Sequence, residues 1–189
     1  MNKLTFTLVI TAAILSAGSL MAQQRRISPH ETISASIDGN RVTIVYGRPY
    51  TKDPNTGENR KIWGGLVPYG QVWRTGADEA TLLITQRPIS IGGATVPAGA
   101  YSLWTLPNAD GTAKLIINKQ IGQWGATHGD LKQIYDDSLD VARVDLKKGT
   151  LDKTVDQFTI SIEKDPPGGG TLRMMWENAQ FSVPFTVKK

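Results

Sequence analysis

Apolar and polar residues alternate with a period of two along most of this chain from Ile33 onward, the mark of half-buried β-strands. Ile33, Ala35 and Ile37 share one face of the first segment, and Val42, Ile44 and Tyr46 share one face of the next. Asp38-Gly39-Asn40 between them is turn chemistry. Further alternating segments are Ala80/Leu82/Ile84, Tyr101/Leu103, residues 115–117, Ala142/Val144/Leu146, Phe158/Ile160/Ile162, residues 172–176 and Phe181/Val183/Phe185/Val187. Gly92-Gly93, Pro97-Ala98-Gly99, the stretch 108–111 and the Pro/Gly-rich stretch 165–170 punctuate them. Many short strands spaced this way predict an all-β fold, an antiparallel β-sandwich or a jelly-roll-like arrangement. One stretch departs from the pattern. In residues 127–139, Leu131, Ile134, Tyr135 and Leu139 fall near helical spacing behind Thr127, so a short helix or an ordered loop fits there.

The first 22 residues stand apart. Lys3 precedes a nearly uncharged apolar run over residues 4–17, and small residues Ala17, Gly18, Ser19 and Ala22 follow. This is the layout of a secretory signal peptide, with a signal anchor as the alternative. The run is short for a membrane span, which needs about 20 apolar residues. Residues 23–189 then form one β-domain, long enough to bury a core unaided. The chain has no cysteine, so packing must stabilise it without disulfides even though export would permit them.

The segment from Val72 to Thr81 is the most informative. Gly76-Ala77 fits the central pair of a type II′ turn. That register sets Trp73 opposite Ala80 and Arg74 opposite Glu79, with Trp73, Ala80, Leu82 and Ile84 facing inward. Arg74, Glu79 and Thr81 would face out, Arg74 and Glu79 as a cross-strand ion pair.

Longer motifs carry a resemblance. The run from Ile62 to Thr81, Val96-Pro97-Ala98-Gly99-Ala100-Tyr101-Ser102-Leu103, Ile116-Ile117-Asn118, Ser28-Pro29 and Tyr46-Gly47-Arg48-Pro49 resemble the domain of unknown function 2911 family. The likeness implies an exported bacterial β-protein and brings no activity with it. Two features depart from the family pattern. Asp78 stands where that pattern has Asn, and the loop after Pro49 is longer, with residues 52–58 inserted.

Charge and composition exclude several functions. The net charge is +4, but no basic run exceeds two residues, so the concentrated basic face of a nucleic-acid binder is not expected. No G-x-S-x-G elbow is present, and the two histidines, His30 and His128, are too isolated to supply a usual transition-metal set. Asp53, Asn55, Gly57 and Glu58 loosely resemble the start of a calcium loop, although the same residues are ordinary turn formers. No metal site and no cofactor motif is expected. Trp63, Trp73, Trp104, Trp124 and Trp176 remain. Trp73 and Trp104 are expected in the core, and Trp63, Tyr69 and Trp124, beside Gly-rich loops, at the surface.

These readings favour a binding module without catalysis of its own, taking a glycan or small-molecule ligand in the cell envelope. Its candidate contact residues are Arg48, Trp63, Tyr69, Arg74, Asp78 and Glu79, on loops carried by a rigid scaffold. A carbohydrate-active hydrolase using acidic residues is the alternative, and a purely structural envelope protein the third reading. No transmembrane span is expected once the signal is removed.

Overall fold

The computed structural model describes residues 27–124, 134–166 and 168–188. The signal segment and residues 125–133, which include 127–133 of the expected helix or loop, lie outside them. Nine strands follow one another: β1 (His30–Ile37), β2 (Asn40–Gly47), β3 (Ala77–Thr85), β4 (Ile89–Ile91), β5 (Ala94–Val96), β6 (Gly99–Pro107), β7 (Ala113–Asn118), β8 (Asp140–Lys164) and β9 (Gly170–Val187). Within the helical-spacing stretch only a 3-10 turn, Asp137–Leu139, is described. The fold is all-β, as the alternation predicts. The strands form one open antiparallel sheet in the order β1-β2-β3-β6-β7-β8-β9-β4-β5.

The turns follow from local chemistry. Asp38 and Gly39 have φ of 47° and 74°, and Gly92 and Gly93 have 52° and 86°. Two consecutive left-handed residues are what a two-residue type I′ hairpin requires, and these turns join β1 to β2 and β4 to β5.

The 25-residue strand β8 organises the rest. Its first part pairs with β7 and the remainder with β9, so the chain passes from one half of the sheet to the other without a break. Side chains from both halves meet in a single core. Ile37, Val42, Ile44, Leu83, Leu103 and Leu115 come from one half, and Phe158, Leu172, Met174, Trp176, Phe181 and Phe185 from the other. A smaller cluster, Ala80, Trp104 and Ile116, is buried separately. Trp104 is therefore buried as expected, but outside the main core.

Tyr46 joins the two halves by hydrogen bonds as well as by packing. Its hydroxyl donates to Glu31 Oε2 at 2.9 Å and accepts from the Ile160 N–H at 3.0 Å. Burial, the largest influence, pushes its pKa from 10.0 to about 12. A folded-state pKa above the unfolded value means the stabilisation is whole below pH 10 and drains as pH rises toward about 12. Tyr46→Phe leaves a buried backbone N–H without its acceptor and should cost about 1–3 kcal/mol. Urea midpoints measured from neutral to alkaline pH should show that cost, with the variant losing less additional stability than wild type across this alkaline window.

Candidate functional site

Between β2 and β3 runs a connection of residues 48–76 with no strand of its own. Connections this long without a strand or helix of their own are uncommon inside a compact domain, and are usually either functional or linker segments. Its first residues are zipped onto β8. Arg48 donates through Nε to the Phe158 carbonyl at 3.2 Å and through Nη2 to Thr159 Oγ1 at 2.8 Å. Its Nη1 pairs with Glu31 at 3.0 Å. Arg48 is thus a structural clamp. Thr51 is anchored by its N–H to the Asp156 carbonyl and by its hydroxyl, which accepts from Trp176 Nε1 at 3.1 Å.

The inserted residues make a small turn. Asp53 Oδ1 accepts from the amides of Asn55 and Thr56 at 2.8 and 3.3 Å. Those amides hold its carboxyl below the usual range. The turn chemistry read from these residues is therefore formed, with Asp53 as its side-chain acceptor.

The segment 72–81 does not fold as the predicted hairpin. Trp73 pairs with Thr105 on β6, donating at 2.8 Å and accepting at 2.9 Å, and β3 resumes on the same strand with Thr81 opposite Leu103. Residues 74–80 are an excursion between those two attachments. Its neck is closed by Thr81 N–H to the Arg74 carbonyl at 3.2 Å and Thr81 Oγ1 to the Thr75 carbonyl at 2.6 Å. Gly76 has φ +157°, close to extended, where the first central residue of a type II′ turn needs about +60°. Trp73 consequently enters the main core while Ala80 enters the small cluster, and Leu83, not Leu82 or Ile84, faces the main core. Arg74 and Glu79 form no ion pair among the described residues.

The excursion, the long connection and the start of the described chain enclose a cleft of about 860 Å³. Trp73 and Trp176 meet it from the core, stacked on each other with centroids 5.9 Å apart. Tyr50, Leu66 and Ile27, three of the seven large apolar side chains exposed among the described residues, lie in its lining. Tyr135 contributes a wall, its hydroxyl held by Asp140 and Arg143 at 2.6 Å each. Polar groups come from Gln71, Arg60, Arg74 and Asp78. Arg60 is occupied, its guanidinium donating to the carbonyls of Tyr50 and Thr51. Arg74 is not: among the described residues its Nε has no hydrogen-bond partner and no carboxylate lies within 4.0 Å of its guanidinium. Desolvation pulls its pKa down, countered in part by the charge of Asp78.

Of the six predicted contact residues, only Arg74 and Asp78 line this cleft. Asp78 Oδ2 meets His30 Nε2 at 2.9 Å, and Glu79 lies 3.7 Å from the same nitrogen. Asp78 has φ +65°. Asn and Asp are the side chains most at ease in that conformation, so the backbone explains why either residue suits this position. Trp63, expected at the surface, packs edge-on against Trp176 and Phe181. Tyr69 and Trp124 are exposed as expected. Tyr69 and part of Trp63 line a separate groove of about 190 Å³ with Asn108, Lys148 and Asn178. Tyr50, Arg60, Leu66 and Gln71 were missed as site residues, since only the path of the connection brings them to Arg74.

Residues 28–185 match the family described as "Protein of unknown function (DUF2911)", and the chain belongs to it. No curated protein and no solved structure matches this chain. No helix among the described residues is long and apolar enough to cross a membrane.

The excursion is held against β2 at Gly47, which pairs with Ala77. A Cβ at Gly47 would stand 2.2 Å from the Ala77 carbonyl oxygen, and neither backbone can yield locally. Gly47→Ala should therefore cost about 1–3 kcal/mol, the range for forcing atoms into a packed site. A urea titration followed by tryptophan fluorescence measures it.

Proposed function

We propose that this protein is an exported ligand-binding module of the bacterial envelope, with its site in the cleft beneath the 48–76 connection. The carrying observation is that cleft of about 860 Å³, within the size range of small-molecule sites, lined by apolar and polar side chains in comparable share. The aromatic stack behind it supplies a back wall, and the anchoring of Arg48 on β8 and of Thr51 on β8 and β9 holds Pro49 and Tyr50 at its rim. Export rests on residues 1–22, whose composition is that of a cleaved signal.

The hydrolase alternative needs two carboxylates facing one another across a cleft. Asp53 and Asp78 both line this one. Asp53, however, is drawn into its own turn and held below the usual carboxylate range, which disfavours it as a general acid, and Asp78 is engaged with His30. Binding without catalysis is the better reading.

A glycan array, with small-molecule thermal-shift screening beside it, tests the proposal on residues 23–189. A ligand should be found whose affinity falls at least tenfold in Tyr50→Ala and in Leu66→Ala. Loss in Tyr69→Ala with Tyr50→Ala unaffected would move the site to the smaller groove and overturn the assignment to the cleft. Export is checked by fractionation of the native host and sequencing of the mature N-terminus, expected to begin after Ala22.

A further inference from the structure

We infer that the cleft is selective for a monoanion: a ring-bearing carboxylate whose carboxyl group seats on the Arg74 guanidinium. This rests on the ligand-binding reading above and adds the class of ligand.

A guanidinium offers five N–H donors in a planar fork and stays charged at every pH a protein meets. Taking it out of water without a compensating partner is costly. Arg74 is half-buried, and its Nε has no acceptor among the described residues. The other charged groups in the lining are already engaged: Arg60 on two carbonyls, Asp53 on two amides, Asp78 on His30. Arg74 is therefore the charged group left to recognise something from solution, and a carboxylate is the planar bidentate match for it.

The surrounding charges select among anions. Two arginines and two aspartates line the cleft, so the local field is close to balanced. A phosphate dianion gains little there, whereas one carboxylate needs only one guanidinium. The rest of the lining calls for a ligand body with an apolar or ring face, because Tyr50, Leu66 and Ile27 present exposed carbon beside the charge. Sugar acids and aromatic acids share that chemistry.

The test uses residues 23–189 labelled with 15N and follows the arginine Nε–H resonances, that of Arg74 assigned by its absence in Arg74→Gln. The probes are D-glucuronate against D-glucose, and phenylacetate against phenylacetamide, with inorganic phosphate as a third arm. One acid should shift the Arg74 resonance saturably and bind at least tenfold more tightly than its neutral counterpart. Arg74→Gln should abolish this, and Arg74→Lys, keeping charge without the fork, should retain part of it. Whichever pair responds tells the sugar acid from the aromatic acid. Arg74→Gln should melt at the wild-type temperature or above, because it removes a desolvated charge, whereas a structural arginine would lower it. A lowered melting temperature, equal binding of acid and neutral partner, or phosphate binding more tightly than both acids overturns the inference. If neither acid binds but the array yields a neutral ligand lost in Tyr50→Ala, the carboxylate class is wrong and the binding module stands. Blank results in both experiments overturn both.

Discussion

The stack of Trp73 on Trp176 joins the irregular part of the chain to the regular part. Trp176 comes from β9, and Trp73 comes from the end of the long connection. Phe158 of β8 closes against both rings, and Tyr46 of β2 meets Phe158 edge-on. Truncating one large buried aromatic to alanine typically costs about 3–5 kcal/mol, a sizeable share of the total stability of an ordinary domain. The same contacts serve two purposes. They seal the core where the two halves of the sheet meet, and they give the cleft a packed aromatic back wall. The Trp176 indole N–H, bonded to Thr51, then fixes the connection over that wall. The fold and the candidate cleft therefore share these aromatic contacts.

How much of this was legible depended on how local the cause was. Asp38-Gly39 and Gly92-Gly93 could be read because two adjacent residues determine a type I′ turn by themselves. The faces of β1, β2, β8 and β9 could be read because each has one side on the core. The Gly76-Ala77 hairpin failed for the complementary reason. Its two arms alternate well, but β6 offers each of them a longer ladder, at Thr105 for Trp73 and at residues 99–103 for β3. Long-range pairing displaced a locally plausible turn, and the displaced residues became the excursion.

The site shows the same division. Arg74 and Asp78 both line the candidate cleft because they belong to the excursion itself. Arg48 belongs to the family-like run Tyr46-Gly47-Arg48-Pro49, yet its guanidinium is spent on β8 and Glu31. Trp63 lies beside two glycines, which suggested exposure, but the turn over residues 61–67 folds its ring back onto Trp176 and Phe181. His30 and Asp78 lie 48 positions apart, and nothing in the neighbourhood of either announces the other. Their meeting follows from β1, β2 and β3 being adjacent in the sheet.

Departures from local preference concentrate in one place. Of the four non-glycine residues with positive φ among those described, Thr75 and Asp78 flank the Gly76-Ala77 pair within the excursion. A left-handed residue costs about 1–2 kcal/mol, most of it avoidable for Asp and little of it for a β-branched Thr. Arg74, immediately before Thr75, adds a desolvated charge. Sequences that fold well are locally consistent, and the exceptions they retain gather at functional or strained sites. Thr75 in the left-handed region and Arg74, whose Nε has no hydrogen-bond partner among the described residues, stand side by side in the excursion. What the excursion achieves, and a hairpin would not, is to place one guanidinium at the edge of an open cleft without letting Asp78 or Glu79 neutralise it by direct contact.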